Sequence, residues 1–298
     1  MKNGWYIWQI ENTEGGNPAA IARVAKENGI TDVMLKVADG TNNFGLAGKI
    51  DMVPGVIAAL RSIGVTVWGW QYIYGFSPLV EARCGAERCN SLGLDRFIFD
   101  VESELKMSGN LALGLQASEI YLNQFIQMCP NVIRAFSSYR WPSYHPDFPW
   151  KPWYEKCQIA MPQVYWLQAA NAGAQLTRSI SEYTTYAPKL KIMPTGAAWK
   201  ENGWRVTPDQ VYEFIQVAKT HNLELVSWWD WQQCRRDLPD VWEAIRINLT
   251  TPPTPPIVST DVRLTAIESQ LVALSGETSS LVGKLEAIIN QLRSYTNA

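Results

Sequence analysis

The feature that most constrains this chain is a rhythm. Short β-like apolar runs alternate with helical patterns eight times between Trp5 and Asn248. The runs predict strands at Trp5–Ile10, Asp32–Val37, Thr66–Tyr72, Arg96–Val101, Val132–Ser137, Gln158–Tyr165, Lys191–Thr195 and Leu223–Trp228. Helical spacing predicts helices near Pro18–Asn28, Val53–Ile63, Pro78–Leu92, Ala117–Met128, Leu176–Ala187, Pro208–Thr220 and Pro239–Asn248, with Arg140–Glu155 mostly irregular. A helix after each strand returns the chain to run in the same direction, which calls for a parallel sheet. Eight such units in about 250 residues match an α/β fold of the closed (β/α)8 barrel type. An open doubly wound sheet fits less well, because no Gly-x-Gly-x-x-Gly turn follows the first strand.

Punctuation agrees with this division. Asn17-Pro18, Ser77-Pro78 and Thr207-Pro208 each pair a capping residue with proline at the first helical position. Gly29, Gly64 and Gly93 stand where helices should end in a left-handed turn. The character changes at residues 249–260, where Thr251-Pro252-Pro253-Thr254-Pro255-Pro256 has the composition of an extended linker. Over residues 261–298 a 3-4 spacing runs through Leu264, Ile267, Leu271, Leu274, Thr278, Leu281, Leu285, Ile288 and Leu292. That seam predicts a heptad-repeat helix that self-associates into a homo-oligomer or docks on a partner coiled coil, with folding back on the barrel as the alternative. Residues 1–248, 249–260 and 261–298 are thus read as barrel, Pro/Thr-rich linker and heptad helix.

Composition excludes several functions. With 26 Lys+Arg against 28 Asp+Glu, a bulk electrostatic grip on nucleic acid or anionic lipid is ruled out. No run approaches the roughly 18 apolar residues of a membrane span. Nor does an apolar segment of signal-peptide length follow Met1, so the expected location is cytoplasmic until release, or on a virion or other assembly. Five cysteines, an odd number without metal or redox spacing, read as small buried hydrophobes. Two histidines, His145 and His221, argue against a His-based metal site or a Ser-His-Asp triad. The 14 tryptophans exceed what a core needs and suggest flat platforms for ligands with apolar faces, sugars among them.

In a barrel the chemistry sits where the strands end. The fourth strand runs Arg96-Phe97-Ile98-Phe99-Asp100-Val101-Glu102, and strand period two puts Asp100 and Glu102 on one face with Cα atoms about 6.6 Å apart. Like charges that close raise one pKa, as a glycosidase needs for one proton-donating and one ionised carboxyl. Other strand ends add Asp39, Trp70 with Gln71 and Tyr72, Gln163 with Tyr165, and Asp230 with Trp231; the seventh loop adds Trp199. Aromatic faces mixed with planar polar groups suit carbohydrate. Trp68 and Trp228, earlier in their strands, are expected in the core.

These motifs resemble the lysozyme-type (β/α)8 glycosidases of family 25 and, more distantly, the chitinase-type barrels of family 18. The likeness is carried by Trp8-Gln9, Lys36-Val37-Ala38-Asp39-Gly40, Asp100-Val101-Glu102 and Asp230-Trp231-Gln232. It implies that Glu102 is the general acid/base and that Asp100 assists, orienting a substrate N-acetyl group or stabilising positive charge. It also implies a strand-one aspartate, which this chain lacks: either Glu11 substitutes for it or the position is lost.

The leading expectation is a glycoside hydrolase acting on N-acetylated cell-wall glycan, peptidoglycan or chitin-like, in the manner of a phage endolysin, a virion-borne lysin or a secretion-system effector. A catalytically silent glycan-binding or structural barrel mounted on a larger assembly is the alternative. No cofactor is expected. Asp39, Asp100, Glu102 and Asp230 carry no spacing that demands a metal.

Overall fold

The computed structural model describes residues 1–250. The heptad seam and the proline run lie outside the described residues, while residues 249 and 250 continue the last helix rather than open a linker. Eight strands form the barrel: β1 Lys2–Ile7, β2 Asp32–Asp39, β3 Thr66–Ile73, β4 Arg96–Val101, β5 Ile133–Tyr139, β6 Ile159–Val164, β7 and β8 Leu225–Trp229. Strand β7 comes in two pieces, Lys191–Ile192 and Thr195–Ala197, split by Met193-Pro194. Neighbours are parallel throughout. Closure is made by β1, where Gly4 stands in register with Asp32 of β2 and with Ser227 of β8.

Helices follow the strands as the rhythm requires: α1 Pro18–Glu27, α2 Val53–Ser62, α3 Pro78–Ser91, α4 Leu111–Met128, α5 Trp150–Lys156, α6 Ala172–Tyr186 and α7 Pro208–Thr220. Two more, α8 Trp231–Asp237 and α9 Pro239–Thr250, follow β8. The fifth connection is therefore less irregular than expected: α5 forms because Trp153 buries fully, against Phe99 and Tyr121. Strand β1 starts and ends three residues before its predicted limits. Past Ile7 the chain turns, and the Gln9 amide donates to the side chain of Gln232 (3.0 Å) instead of to a strand.

Two caps behave as expected. The Asn17 side chain accepts from Ala20 N (3.0 Å), and Thr207 and Gln210 form a reciprocal capping box. The Ser77 side chain does not cap; instead its backbone amide donates to the Glu81 carboxylate (3.0 Å). Gly29, Gly64 and Gly93 have φ of 62°, 82° and 57°, the left-handed turns that favour glycine.

Period two sorts the strands into two cores. Outward residues such as Ile7, Leu35, Val67 and Phe97 pack against the helices. Inward residues, among them Tyr6, Met34, Trp68, Trp70, Ile98 and Met161, fill the barrel itself. Trp68 is core as expected, and its indole N–H donates to the buried Asp32 carboxylate (2.8 Å). Trp228 is equally buried. All five cysteines are free, four of them buried.

Gln71 points outward, not to the mouth. Its amide donates to the carbonyls of Gly40 (2.7 Å) and Glu81 (2.9 Å) and accepts from the Tyr121 hydroxyl (2.6 Å). Gly85 of α3 makes room, for a Cβ there would lie 2.0 Å from Gln71 Oε1. Alanine would gain about 1 kcal/mol of helix propensity. Displacing a buried amide from three partners costs about 1–3 kcal/mol per orphaned group and outweighs it. Thermal melts should therefore show Gly85→Ala lowering Tm, whereas Gly55→Ala, whose Cβ would meet only Pro18 Cγ at 3.4 Å, holds or raises it.

Candidate active site at the barrel mouth

Because every strand is parallel, all eight finish at one end, and their last inward residues converge. On β4, Asp100 lies in register with Tyr72 of β3 and Ser137 of β5. It is 7% exposed, and Glu102 beside it is half-buried. From β6, Gln163 Nε2 reaches Asp100 Oδ1 (3.0 Å), Glu102 Oε1 (2.9 Å) and Ser137 Oγ (3.1 Å). An amide has two hydrogens for these three oxygens, so the cluster holds together best when one group brings its own proton. Burial pushes the Asp100 carboxyl well above the ordinary range, and the neighbouring Glu102 charge adds to it; Ser137, Lys36 and Gln163 pull it back only in part. Burial also raises Glu102, opposed by the Gln163 hydrogen bond and reinforced by Glu104.

Strand β2 contributes through a bulge. Lys36 pairs with Trp70, Ala38 with Gln71 and Asp39 with Tyr72, so the extra residue, Val37, resets the alternation. Lys36 and Asp39 consequently meet inside the barrel mouth, Nζ to Oδ2 at 3.1 Å, with the ammonium over the rings of Phe44 (4.5 Å) and Trp70 (4.8 Å).

Together these groups line a cleft of about 630 Å³. Its aromatic side is a cluster in which Trp229 lies 5.6 Å from both Tyr6 and Trp70, edge-on to the latter, and stacks on Trp8 at 6.4 Å. Its acidic side holds Asp100, Glu102 and Glu104, the last accepting from the Tyr72 hydroxyl (2.7 Å). Tyr139 nearby is pushed up to about 12 by burial and by Glu102 and Glu104, so its phenol stays protonated.

Of the residues singled out in the sequence, Asp39, Trp70, Tyr72, Asp100, Glu102, Gln163 and Tyr165 all line this cleft. Trp199 does not; it stands behind Tyr165, edge-on at 4.7 Å, and packs on Trp204. Asp230 and Trp231 are fully buried elsewhere. Strand β8 stops at Trp229, and Asp230 caps α8 by accepting from Gln233 N (2.9 Å) and Nε2 (3.0 Å). Trp231 donates to Glu14 (3.1 Å) and packs on Trp242. The Asp-x-x-Gln spacing at Asp230 is a helix-start signal that could have warned of this. Glu11 is exposed on a 3-10 turn outside the cleft, so it does not replace the family's strand-one aspartate; Trp8 occupies that end of β1.

The cleft also includes Trp8, Gln9 and Lys36, which carried the motif likeness without being singled out as site residues, and Phe44, Tyr74, Glu104 and Trp229. Extending period two beyond the strand ends would have found Tyr74, Glu104 and Trp229. Among the described residues, no group of three or more His, Cys, Asp or Glu is arranged to hold a metal ion, and no helix is long and apolar enough to cross a membrane.

Comparison with known proteins places the architecture. The chain shares its fold with barrel glycoside hydrolases. A family 18 chitinase from Pseudoalteromonas aurantia superposes with a TM-score of 0.61 at 15% identity, covering 84% of this chain and 100% of that one. A chitinase from Bacteroides thetaiotaomicron gives 0.62 at 8%, over 83% and 96% of the two chains. The spore cortex-lytic enzyme of Bacillus megaterium gives 0.54 at 10%, over 83% and 73%. Family 18, the more distant of the two resemblances in the motifs, is the one that the first of these represents. No family model matches the sequence, and no curated protein matches it either.

The raised carboxyl of Asp100 has a consequence for stability. The folded protein keeps a proton there that the unfolded chain releases near its ordinary value of about 3.9. Stability is therefore fully present below that pH and is lost as pH rises through the folded value. Asp100→Asn removes the ionisation, so its Tm relative to the parent should climb between pH 4 and pH 8. A difference that is flat with pH, measured by calorimetry, would contradict the buried proton.

Proposed function

We propose that this barrel hydrolyses the glycosidic bonds of an N-acetylated polysaccharide, cell-wall peptidoglycan or a chitin-like chain. The observation that carries the reading is the pair Asp100 and Glu102, both raised by burial, facing an indole-lined cleft at the mouth of the barrel. Glu102, the more accessible of the two, supplies the proton to the leaving oxygen as the bond breaks. Asp100, deeper and tied to Ser137 and Gln163, holds its proton and orients the substrate acetamide by hydrogen bonding. With that acetamide as internal nucleophile, the reaction needs no further carboxylate. Trp8 and Trp229, the indoles of the cleft that remain partly exposed, offer flat faces to the sugar C–H groups. Neighbours named chitinase and cortex-lytic enzyme support a substrate of this class. The motif likeness to family 25 supports the peptidoglycan end of the range.

A second reading rests on Trp8. With an indole at the end of β1 where the family 25 pattern has an aspartate, the cleft could hold glycan without cutting it, as a binding module. One assay separates the two. Release of reducing ends from peptidoglycan and from chitooligosaccharides should be seen with the parent. Glu102→Gln should lower kcat by about 10²–10⁴-fold with KM little changed, the scale of a lost general acid. The parent's rate should fall as pH rises through the Glu102 pKa, since the acid must begin protonated. A parent that binds these glycans and releases nothing supports the binding module instead.

A further inference from the structure

The cleft does not end at the acids. A second hollow of about 470 Å³ adjoins it, with Asp39, Phe44 and Tyr74 common to both. The exposed side chains of Thr41, Asn42 and Asn43, on the turn after β2, line this hollow with a hydroxyl and two amides. The alternation of β3 carries on past its end as Tyr72, Tyr74 and Phe76. Tyr72 and Tyr74 meet edge-on at 5.0 Å, and Tyr74 stacks on Phe76 at 6.4 Å with 24° between planes. Exposure grows outward, from 36% at Tyr74 to 72% at Phe76.

A phenyl ring so exposed is ordinary on a loose loop, but this loop is not loose. The Glu81 carboxylate, itself 2% exposed, accepts from the backbone amides of Tyr74 (2.8 Å), Gly75 (3.1 Å) and Ser77 (3.0 Å). Gly75, at φ 75°, sits so close to Leu105 that a Cβ would lie 2.4 Å from Leu105 Cδ2. Phe76 is therefore held on a rigid turn with its ring largely in water. The ring does little for the fold, and covering it with a ligand takes apolar surface out of water, which is favourable. The rigid mounting means that little ordering cost opposes that contact.

We propose that this hollow is a second sugar-binding subsite, which prolongs the cleft along Tyr74 and Phe76 and makes the protein select long glycan chains over short ones. This rests on the glycan reading above. Stacked rings beside neutral amides and a hydroxyl suit uncharged pyranose units. The carboxylates of Asp39 and Glu81 beside them repel phosphate and other anions.

The test uses the full chain carrying Glu102→Gln, titrated calorimetrically with chitooligosaccharides from chitobiose to chitohexaose. Affinity should rise with length. Adding Phe76→Ala should weaken the longest ligand roughly 2- to 12-fold, the equivalent of about 0.5–1.5 kcal/mol for one aromatic contact, and leave chitobiose unchanged. Phe76→Trp, which keeps a flat ring, should retain the length dependence. Equal weakening at every length, or none, overturns the second subsite while the glycan reading stands. No binding of any oligosaccharide overturns both.

Discussion

Closure of the barrel through β1 is the constraint from which the rest follows. With β1 paired to β2 on one side and to β8 on the other, the sheet has no edge, and every second side chain must go inside. The interior then has to be filled, and it is filled with Met34, Trp68, Trp70, Ile98 and Met161. Gly4 permits this, since a Cβ there would lie 2.7 Å from Met34 Cε. Parallel strands add polarity to the packing: all their carboxyl ends share one mouth. A residue that ends one strand facing inward therefore meets those that end the others, however far apart they lie in the chain. Asp100 and Gln163 are 63 residues apart and hydrogen-bonded for that reason.

The choice of partner at the centre decides what the acids can do. A lysine or arginine bridging Asp100 and Glu102 would hold both ionised. An amide donates to both without adding charge, so burial and mutual repulsion keep the upper hand and a proton stays in the cluster. The cation within reach, Lys36, is drawn towards Asp39 and the rings of Phe44 and Trp70, and offsets the Asp100 shift only in part. The proton-donating role proposed for this pair would depend on that restraint.

What could be read from sequence was whatever depends on period and punctuation. Strand β4 and helix α7 coincide with their predicted limits because each has an unambiguous pattern, and α7 has its capping box. The acids of β4 were legible because a hydrophobic run stops abruptly at carboxylates. The bulge in β2 was not: simple alternation puts Lys36 and Asp39 on opposite faces, and only the pairing to β3 shows Val37 as the extra residue. Asp230 failed for a related reason. Set among Trp228, Trp229 and Trp231, the acid looks like a strand-end cleft residue, and the Asp-x-x-Gln spacing that marks it as a helix cap is the weaker signal. The end of β1 was misread in the same way, among Trp5, Tyr6, Ile7 and Trp8, where every residue is apolar enough for either face.

That misreading bears on how the cleft is charged. The family 25 pattern spreads its carboxylates over several strands, β1 among them. Here the end of β1 carries Trp8, and the 3-10 turn that follows β4 adds a third acid, Glu104, that lines the cleft and is held by the Tyr72 hydroxyl. In an eight-stranded barrel β4 lies across the axis from β8 and beside β5, which faces β1. Three carboxylates thus project from one side, and Trp8 and Trp229 from the other. A pyranose ring has the same division, with C–H groups on its faces and oxygens around its edge. Seated with a face on the indoles, it would turn its oxygens to Glu102 and its neighbours. On the hydrolase reading proposed above, the indole at the end of β1 would favour orientation where an aspartate would have favoured charge, and electrostatic stabilisation would fall to the acids at and beyond the end of β4.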